Sequence, residues 1–352
     1  MALQSALITG GTGFLGSAIA RALHEKHPDC KITVLDTKDP AAIRPLPDGV
    51  SFINADITSY EDVRSAIEPV KPQVIFHVAA MLGSVSERYG RKERDVMFKV
   101  NVTGTKNLLE AAKSMGVEAF VHTSSIAAVM DDMTTEYANV DERWPTTHSS
   151  LIYGESKAAA EDLVLNPSNN PLATCALRPS LMCGPGDEML LPTLHACIAK
   201  GETPYVLGDG YKLWDFSYVT NVADAHVLAA ENLISSQTAA GEAFFIQNNE
   251  PVTSRDFLLA VSAHFGHYPP FEIKIPLSLA WFAGLASEVS CWITGSTATF
   301  SRGVIRESCM AKYASGEKAK RILGFEPRVG IIDGVRLSCE DYARRIGVEL
   351  AS

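Results

Sequence analysis

The sequence predicts an α/β fold, a Rossmann-type doubly wound parallel sheet with a smaller C-terminal lobe. Three observations predict it. A glycine-rich turn at residues 9–16 separates a strand pattern from a helix pattern, apolar runs and amphipathic stretches alternate up to residue 163, and turns become frequent after Pro179. Such alternation is typical of a parallel sheet covered on both faces. We therefore expect a sheet domain at residues 1–180, with returns from the C-terminal half, and the smaller lobe at residues 181–352.

The glycine-rich turn joins an apolar run at residues 5–9 to helically spaced apolar residues at 14–23. Its spelling fits both Gly-x-Gly-x-x-Gly and Gly-x-x-Gly-x-x-Gly. A backbone without side chains can approach a pyrophosphate, whose charge is favoured by the N–H groups at the helix start. A glycine turn that binds nothing is the alternative. The residues expected to contact a dinucleotide here are Gly10, Gly13, Phe14, Leu15 and Gly16.

A second apolar run, residues 31–35, ends in Asp36. This acid lies about 20 residues beyond the last glycine of the turn, where a carboxylate can accept hydrogen bonds from the adenosine ribose. A carboxylate there repels a 2′-phosphate, so NAD is favoured over NADP, although Lys38 nearby weakens the preference. A plain surface acid is the other interpretation of Asp36.

Further strand patterns at residues 50–53, 74–78 and 117–121 continue the α/β alternation. Ligands of such sheets bind at the carboxyl ends of the strands. The side chains expected near a dinucleotide at that edge are Asp56, Ile57, Ala79, Ala80 and Thr123, with Asn101 from the intervening helical stretch.

The helical stretch at residues 149–163 carries the predicted catalytic pair, Tyr153 and Lys157. Residues four apart share one helix face. A nearby ammonium favours the phenolate and lowers the pKa of a tyrosine, which is otherwise a poor base at neutral pH. Ser125, at the end of the fifth strand, is preferred over Ser124 as the hydroxyl that holds a substrate oxygen. Tyr-x-x-x-Lys alone is a common surface pattern, but together with the glycine turn it indicates a dehydrogenase.

At these residues the sequence resembles the extended short-chain dehydrogenase/reductase superfamily, and more closely its 3β-hydroxysteroid dehydrogenase branch, which includes decarboxylating sterol-4α-carboxylate 3-dehydrogenases. The resemblance extends over nearly the whole chain. It implies an NAD-dependent oxidation of a 3β-hydroxyl, with Tyr153 as proton acceptor, Lys157 as its activator and Ser125 as the orienting hydroxyl. It also implies that Pro179 and the residues after it flank the nicotinamide.

Trp214 is the main departure from related sugar-nucleotide epimerases and dehydratases, which usually place an arginine before the Asp-Phe pair. An indole cannot pair with phosphate but can cover an apolar ring system. This favours a small lipophilic polycyclic substrate over a sugar nucleotide, although Trp214 can equally be a core aromatic. The expected substrate contacts are Met81, Ser125, Trp214 and Trp281. A sugar-nucleotide enzyme and a non-catalytic dinucleotide sensor are the alternative functions.

The segment at residues 275–294 is apolar with helical spacing of its large residues. Three interpretations compete: a core helix, a lid over an apolar substrate, and a helix on a membrane surface. Glu288 and several serines disfavour a membrane-spanning role. We expect a lid that includes Trp281.

Whole-chain composition predicts a cytoplasmic enzyme, with association to the cytosolic face of an internal membrane left open. The net charge is −10 with no basic run, which disfavours nucleic-acid binding. The first strand begins almost at once, so no signal peptide is expected. Seven scattered cysteines predict reduced thiols and no structural metal. A homodimer is left open.

Overall fold

The computed structural model describes residues 2–83, 90–130, 133, 135–146, 151–294, 296 and 300–351. The strands are β1 (Ser5–Thr9), β2 (Lys31–Asp36), β3 (Ser51–Asn54), β4 (Val74–His77), β5 (Ala119–Thr123), β6 (Tyr137–Val140), β7 (Ala173–Pro179), β8 (Leu181–Cys183), β9 (Tyr205–Leu207), β10 (Leu213–Trp214), β11 (Phe216–Tyr218), β12 (Ala243–Ile246), β13 (Val252–Thr253), β14 (Ile273–Ile275) and β15 (Lys312–Ala314). The α-helices are α1 (Phe14–Lys26), α2 (Tyr60–Val70), α3 (Arg94–Phe98), α4 (Gly104–Ser114), α5 (Ile152–Val164), α6 (Leu190–Ala199), α7 (Val219–Leu233), α8 (Ser254–His264), α9 (Leu277–Thr294), α10 (Arg302–Ser308), α11 (Glu317–Leu323) and α12 (Ile331–Ile346).

A seven-stranded sheet with the order β12-β7-β5-β4-β1-β2-β3 forms the centre of the molecule, and every pair in it is parallel. The chain winds outward in one direction from β1 to β3 and in the other from β4 to β12. The crevice between β1 and β4 is therefore the switch point at which such sheets bind ligands. The predicted doubly wound α/β fold is confirmed.

Alternate residues of the central strands pack into two different cores, one on each face of the sheet. Ile8 and Phe76 face α1 and α7, in a core that also contains Leu23 and Val222. Their neighbours on the opposite face pack with α2, α4 and α5; examples are Leu7, Ile75, Val63, Leu108 and Val164. This two-sided burial explains why the strands read as continuous apolar runs.

The C-terminal half contributes both to the central sheet and to smaller sheets. β12 extends the central sheet next to β7, and α7 packs against α1. A four-stranded sheet, β13-β10-β15-β6, and the strand pairs β11-β8 and β14-β9 lie outside it. Because β6 precedes residue 180, both halves of the chain build the four-stranded sheet. The division of the chain at residue 180 stays a prediction.

Some boundaries differ from those expected. The fifth strand runs from Ala119 to Thr123 rather than over 117–121, so the serines that follow it lie at its carboxyl end. The helix predicted at 149–163 is α5, and residues 147–150 lie outside the described part of the chain.

The apolar segment predicted at residues 275–294 forms α9, and its interpretation as a core helix is wrong. Of its residues, Ala280 and Gly284 are buried. A Cβ on Gly284 would lie 2.7 Å from Cδ1 of Ile305, so the small residues allow close contact with α10. Hydropathy could not reveal this, because a buried helix and an exposed apolar helix have the same composition. Among the described helices, α9 is the one long and apolar enough to cross a membrane by length and composition.

Candidate active site

The glycine turn brings the end of β1 into close contact with the end of β4. Gly10 has a φ of +67°, and a Cβ on it would lie 2.7 Å from the backbone nitrogen of Ala79. A Cβ on Gly16 would lie 2.2 Å from the carbonyl oxygen of Gly10. Neither position accepts a side chain without moving the backbone.

The start of α1 is suited to an anion. Gly13 precedes the helix in extended conformation, and this described turn has neither a side-chain cap nor an acidic residue in the first helical turn. The N–H groups that begin the helix, at Phe14 and Leu15, therefore have no capping group and favour negative charge. The backbone here fits a dinucleotide pyrophosphate.

Asp36 ends β2 beside the glycine turn. Its Oδ2 accepts hydrogen bonds from the Thr12 hydroxyl at 2.7 Å and from the Thr12 N–H at 3.2 Å, and its Oδ1 accepts from the N–H groups of Thr37 and Lys38. These four donors fill the acceptor sites of a carboxylate. The predicted contact of Asp36 with a ribose hydroxyl would require one of these donors to be replaced, and the rotatable Thr12 hydroxyl is the replaceable one.

The adenine side of the site holds the two residues predicted after β3. Asp56 is exposed, and its Oδ1 accepts a hydrogen bond from the N–H of Thr58 at 2.9 Å. Ile57 is buried in the core against Gly104, and its contact with a dinucleotide stays a prediction.

Asn101 joins the segment after β4 to the catalytic helix. It lies in a π-helical turn, Lys99–Thr103, of the kind that often marks functional sites. Its Oδ1 accepts from the N–H of Met81 at 2.7 Å, and its Nδ2 donates to the Met81 carbonyl at 3.0 Å and to Oγ of Ser156 at 2.8 Å. Since the side-chain amide is used within the protein, Asn101 positions Ala79, Ala80 and Met81 rather than presenting that amide to a ligand.

Tyr153 and Lys157 lie one turn apart on α5. Tyr153 is half-buried and packs against a cluster that includes Ile126. Lys157 is 2% exposed, and its Nζ donates to the carbonyl oxygen of Thr123 at 2.7 Å. The catalytic lysine is therefore anchored to the end of β5.

Ser125 lies two residues after the end of β5 and caps the short 3₁₀ turn on which α5 packs. Its Oγ accepts from the N–H of Ala127 at 3.1 Å, a bond that leaves the hydroxyl hydrogen for another acceptor. Ser125 is half-buried, whereas Ser124 is 1% exposed. This difference favours Ser125 as the hydroxyl that meets a substrate.

Burial lowers the pKa of Lys157 to about 7, an effect opposed by the Glu161 carboxylate. His77 and His122 lie close enough for Lys157 to lower their pKa values further, although burial is the larger cause for both; the pKa of His77 falls to about 3. Their rings are 5.1 Å apart. Both histidines are therefore neutral beside the lysine, whereas the pKa of about 7 leaves Lys157 partly protonated at neutral pH.

The hydrogen bonds of His77 determine its tautomer. The Thr105 hydroxyl donates to the Asn101 carbonyl, so it accepts from Nε2 of His77 at 2.8 Å. Nδ1 of His77 then accepts from the Thr9 hydroxyl, also at 2.8 Å. His77 thus bridges the strand before the glycine turn and the helix of Asn101. The hydroxyl of Thr123 forms a hydrogen bond with Nε2 of His226 at 2.8 Å, and the contact of Thr123 with the dinucleotide stays a prediction.

Two of the predicted substrate contacts, Trp214 and Trp281, lie in the C-terminal half of the chain. Trp214 is half-buried; its Nε1 donates to the Met310 carbonyl at 2.9 Å, and Nζ of Lys312 lies 3.8 Å from the ring centroid. Trp281 on α9 is half-buried, with the Arg302 guanidinium 5.3 Å from its ring centroid. Pro179 is buried at the end of β7, beside Ile246 of β12.

Three residues of the site were missed by sequence reasoning: Ser156, Glu161 and Arg178. Ser156 lies inside the Tyr-x-x-x-Lys pattern, and its Oγ accepts from Asn101. Glu161 follows Lys157 by four residues, so helical spacing could have indicated it. Arg178 has no local signal, because its partner is reached only through the packing of β7 on α5.

Solved structures share the whole architecture. The UDP-glucose 4-epimerase of Thermus thermophilus, determined in complex with NAD, superposes with a TM-score of 0.72 at 26% identity, covering 96% of this chain and 99% of that one. The fold, the glycine turn and the Tyr–Lys helix define an oxidoreductase that uses a nicotinamide dinucleotide.

The branch is defined by sequence. Residues 7–277 match the 3-beta hydroxysteroid dehydrogenase/isomerase family. The decarboxylating sterol-4-alpha-carboxylate 3-dehydrogenase of Schizosaccharomyces pombe is 35% identical, covering 96% of each chain, and the protein of the same name from Candida albicans is also 35% identical, over 96% of this chain and 97% of its own. The chain belongs to this family, and the resemblance predicted from its motifs is confirmed.

Proposed function

We propose that this enzyme uses NAD to oxidise the 3β-hydroxyl of a sterol or related polycyclic alcohol to the 3-ketone, and that a 4α-carboxylate is lost as carbon dioxide. The observation that carries the proposal is the Tyr153–Lys157 pair anchored at the edge of the sheet that also holds the glycine turn, in a chain so similar to decarboxylating sterol dehydrogenases. The proposed substrate contacts outside α9 are Met81, Ser125 and Trp214.

The residues of this chain would act on the substrate hydroxyl as follows. The Tyr153 phenolate removes the hydroxyl proton, the Lys157 ammonium stabilises that phenolate, and Ser125 donates a hydrogen bond to the substrate oxygen. NAD, when bound, supplies the acceptor for the hydride from the carbinol carbon. The 3-ketone then lies β to the 4α-carboxylate. The bond between C4 and the carboxyl carbon breaks, its electron pair forms the enolate, and proton transfer to C4 gives the ketone.

The substrate is tested by following NADH absorbance with a panel of 3β-hydroxy steroids, 4-carboxysterols, terpenoid alcohols and UDP-sugars. We expect turnover of the 4-carboxysterols with release of one carbon dioxide per NADH. Turnover of a UDP-sugar, with none of any polycyclic alcohol, would contradict the proposal and restore the sugar-nucleotide alternative.

The same assay with both dinucleotides tests the preference for NAD. Asp36→Ala removes the carboxylate that repels a 2′-phosphate, so the ratio of kcat/KM for NAD to that for NADP should fall by about 10-fold. Asp39→Ala, which removes an exposed acid three residues away, is the matched control and should leave the ratio unchanged. A wild-type enzyme that prefers NADP would show that Asp36 has another role.

We also infer that α9 docks onto the surface of a lipid membrane. The side chains opposite its contact with α10 form an exposed apolar stripe, which consists of Phe282, Ala286, Val289 and Ile293. Phe282 is 64% and Ile293 71% exposed, and Trp292 beside them is 83% exposed. The carboxylate of Glu288 is paired with Arg302, so it does not oppose contact with lipid. A lipid surface is favoured as the occupant because a lipophilic polycyclic substrate is itself held in membranes.

Co-sedimentation with phosphatidylcholine liposomes tests this docking. Replacing both Phe282 and Ile293 by Gln should abolish sedimentation while leaving turnover of a detergent-solubilised substrate within about twofold, since each buried apolar side chain contributes roughly 2 kcal/mol to insertion. Ile332→Gln removes an equally exposed side chain from α12 and is the control. Sedimentation unchanged in the double variant would contradict membrane docking. A wild-type dimer that the double variant converts to a monomer would show instead that the stripe joins two copies of the chain.

A further inference from the structure

The catalytic helix carries a third ionisable residue on the face of Tyr153 and Lys157. Glu161 follows Lys157 by one helical turn, and residues at this spacing lie along one face. Its side chain is 2% exposed, and that of Arg178 on β7 is 5% exposed. Arg178 Nε donates to Glu161 Oε2 at 2.9 Å, and Arg178 Nη2 donates to Oε1. The two form a buried, bidentate ion pair between the helix and the sheet.

Stability alone does not account for this pair. Burying two charges is costly, and apolar residues of similar volume often give equal or greater stability. The remaining donor, Arg178 Nη1, has no hydrogen-bond partner among the described residues. The guanidinium lies 5.2 Å from the ring centroid of Phe245, an apolar surface that cannot replace the missing bond.

We propose that Glu161, held in place by Arg178, is a positioning residue that keeps the Lys157 side chain cationic on the helix face it shares with Tyr153. The inference rests on the proposed role of Tyr153 as the base. Glu161 touches neither substrate nor dinucleotide in this scheme, and it acts through the charge of Lys157.

The charges around Lys157 support this role. Burial lowers the pKa of Lys157 to about 7, and the Glu161 carboxylate raises it. The other titratable or charged groups on the elements around this helix face are His77 on β4, His122 on β5, Arg178 on β7, Arg94 and Asp95 on α3, Lys99 in the π-helical turn, and Lys106, Glu110 and Lys113 on α4. The histidines are neutral, Arg94 pairs with Glu155, and the α4 groups are on the surface. Glu161 is therefore the buried anion that offsets the desolvation of Lys157.

Removal of Glu161 is expected to lower the pKa of Lys157 further, so that more of Lys157 is neutral at pH 7 and the Tyr153 phenolate loses part of the positive charge beside it. The double variant Glu161→Gln/Arg178→Met avoids an unpaired buried arginine. In protein labelled with ¹³C at the tyrosine ring carbon that bears the hydroxyl, the Tyr153 resonance is identified by its loss in Tyr153→Phe. In the double variant we expect the pH midpoint of the Tyr153 titration to move to higher pH by about 1 unit. The titration needs no substrate, so it stands even if the sterol assignment fails.

Two controls complete the experiment. Asp162→Asn removes an exposed carboxylate from the next position of α5 and should leave the Tyr153 midpoint unchanged. Arg178→Lys keeps a cation beside Glu161, so the titration midpoint of Tyr153 should stay at its wild-type pH. A folded double variant with a wild-type midpoint overturns the proposal. If both this variant and Glu161→Gln/Arg178→Gln fail to fold, the pair serves the fold, and the proposal is likewise overturned.

Discussion

Tyr153→Phe is expected to lower turnover by about 100-fold or more, the scale on which enzymes lose rate when a general base is removed. The variant keeps the ring that packs against the cluster containing Ile126, so the local structure should persist. What it loses is the oxygen that takes the proton of the substrate hydroxyl. Single-turnover kinetics should show the loss in the chemical step. The affinity for NAD, measured by calorimetry, should change little.

A matched control separates the catalytic oxygen from a general effect of removing a tyrosine hydroxyl. Tyr268 is 72% exposed, so Tyr268→Phe should keep wild-type turnover. Near-normal turnover in Tyr153→Phe itself would remove this residue from the mechanism.

The free energy of unfolding should fall steeply as the pH decreases from 6.5 towards 4. In the unfolded chain, histidines bind protons below their ordinary pKa of 6.5. In the folded chain, burial lowers the pKa of His77 to about 3 and that of His226 to about 4, and it lowers that of His122 well below the ordinary value. The unfolded state thus binds more protons in this window, and each of the three costs about 1.4 kcal/mol per pH unit.

His122→Phe tests the contribution of one of these three histidines. The two ring nitrogens of His122 have no hydrogen-bond partner in the described part of the chain, so a phenyl ring loses no bond there. Urea unfolding across this pH range should give a slope smaller by about 1.4 kcal/mol per pH unit. His24→Gln, at an exposed site on α1, should leave the slope unchanged. An unchanged slope in His122→Phe would show that His122 is protonated in the folded protein.

The parts of the site that could be predicted from sequence are those specified by neighbours in the chain. The glycine turn, Asp36 and the Tyr153–Lys157 spacing each combine a short pattern with an adjacent strand or helix. The doubly wound parallel sheet could be predicted from the apolar runs of its strands, since both faces of each strand are covered. These features belong to local geometry, which a single sequence records.

The remainder depends on contacts between distant segments. Asn101 was expected to meet the dinucleotide, but its amide is taken up by Met81 and Ser156, and no pattern at residues 99–103 indicates a π-helical turn. The Arg178–Glu161 pair forms only when β7 packs against α5. Hydropathy could not place α9 either, because its apolar residues suit a protein core as well as a lipid surface.

The small contact between α9 and α10 has a consequence for the design of variants of this enzyme. The buried residues of α9 are Ala280 and Gly284, both small. The ion pair between Glu288 and Arg302 also links α9 to α10. Substitutions along the outer stripe therefore leave the contact with α10 and the central sheet untouched. This separation of the outer stripe from the central sheet is also useful when the protein is purified. Without detergent, this exposed apolar stripe is expected to promote aggregation, and replacing its residues by polar ones should give better-behaved crystals without altering α5.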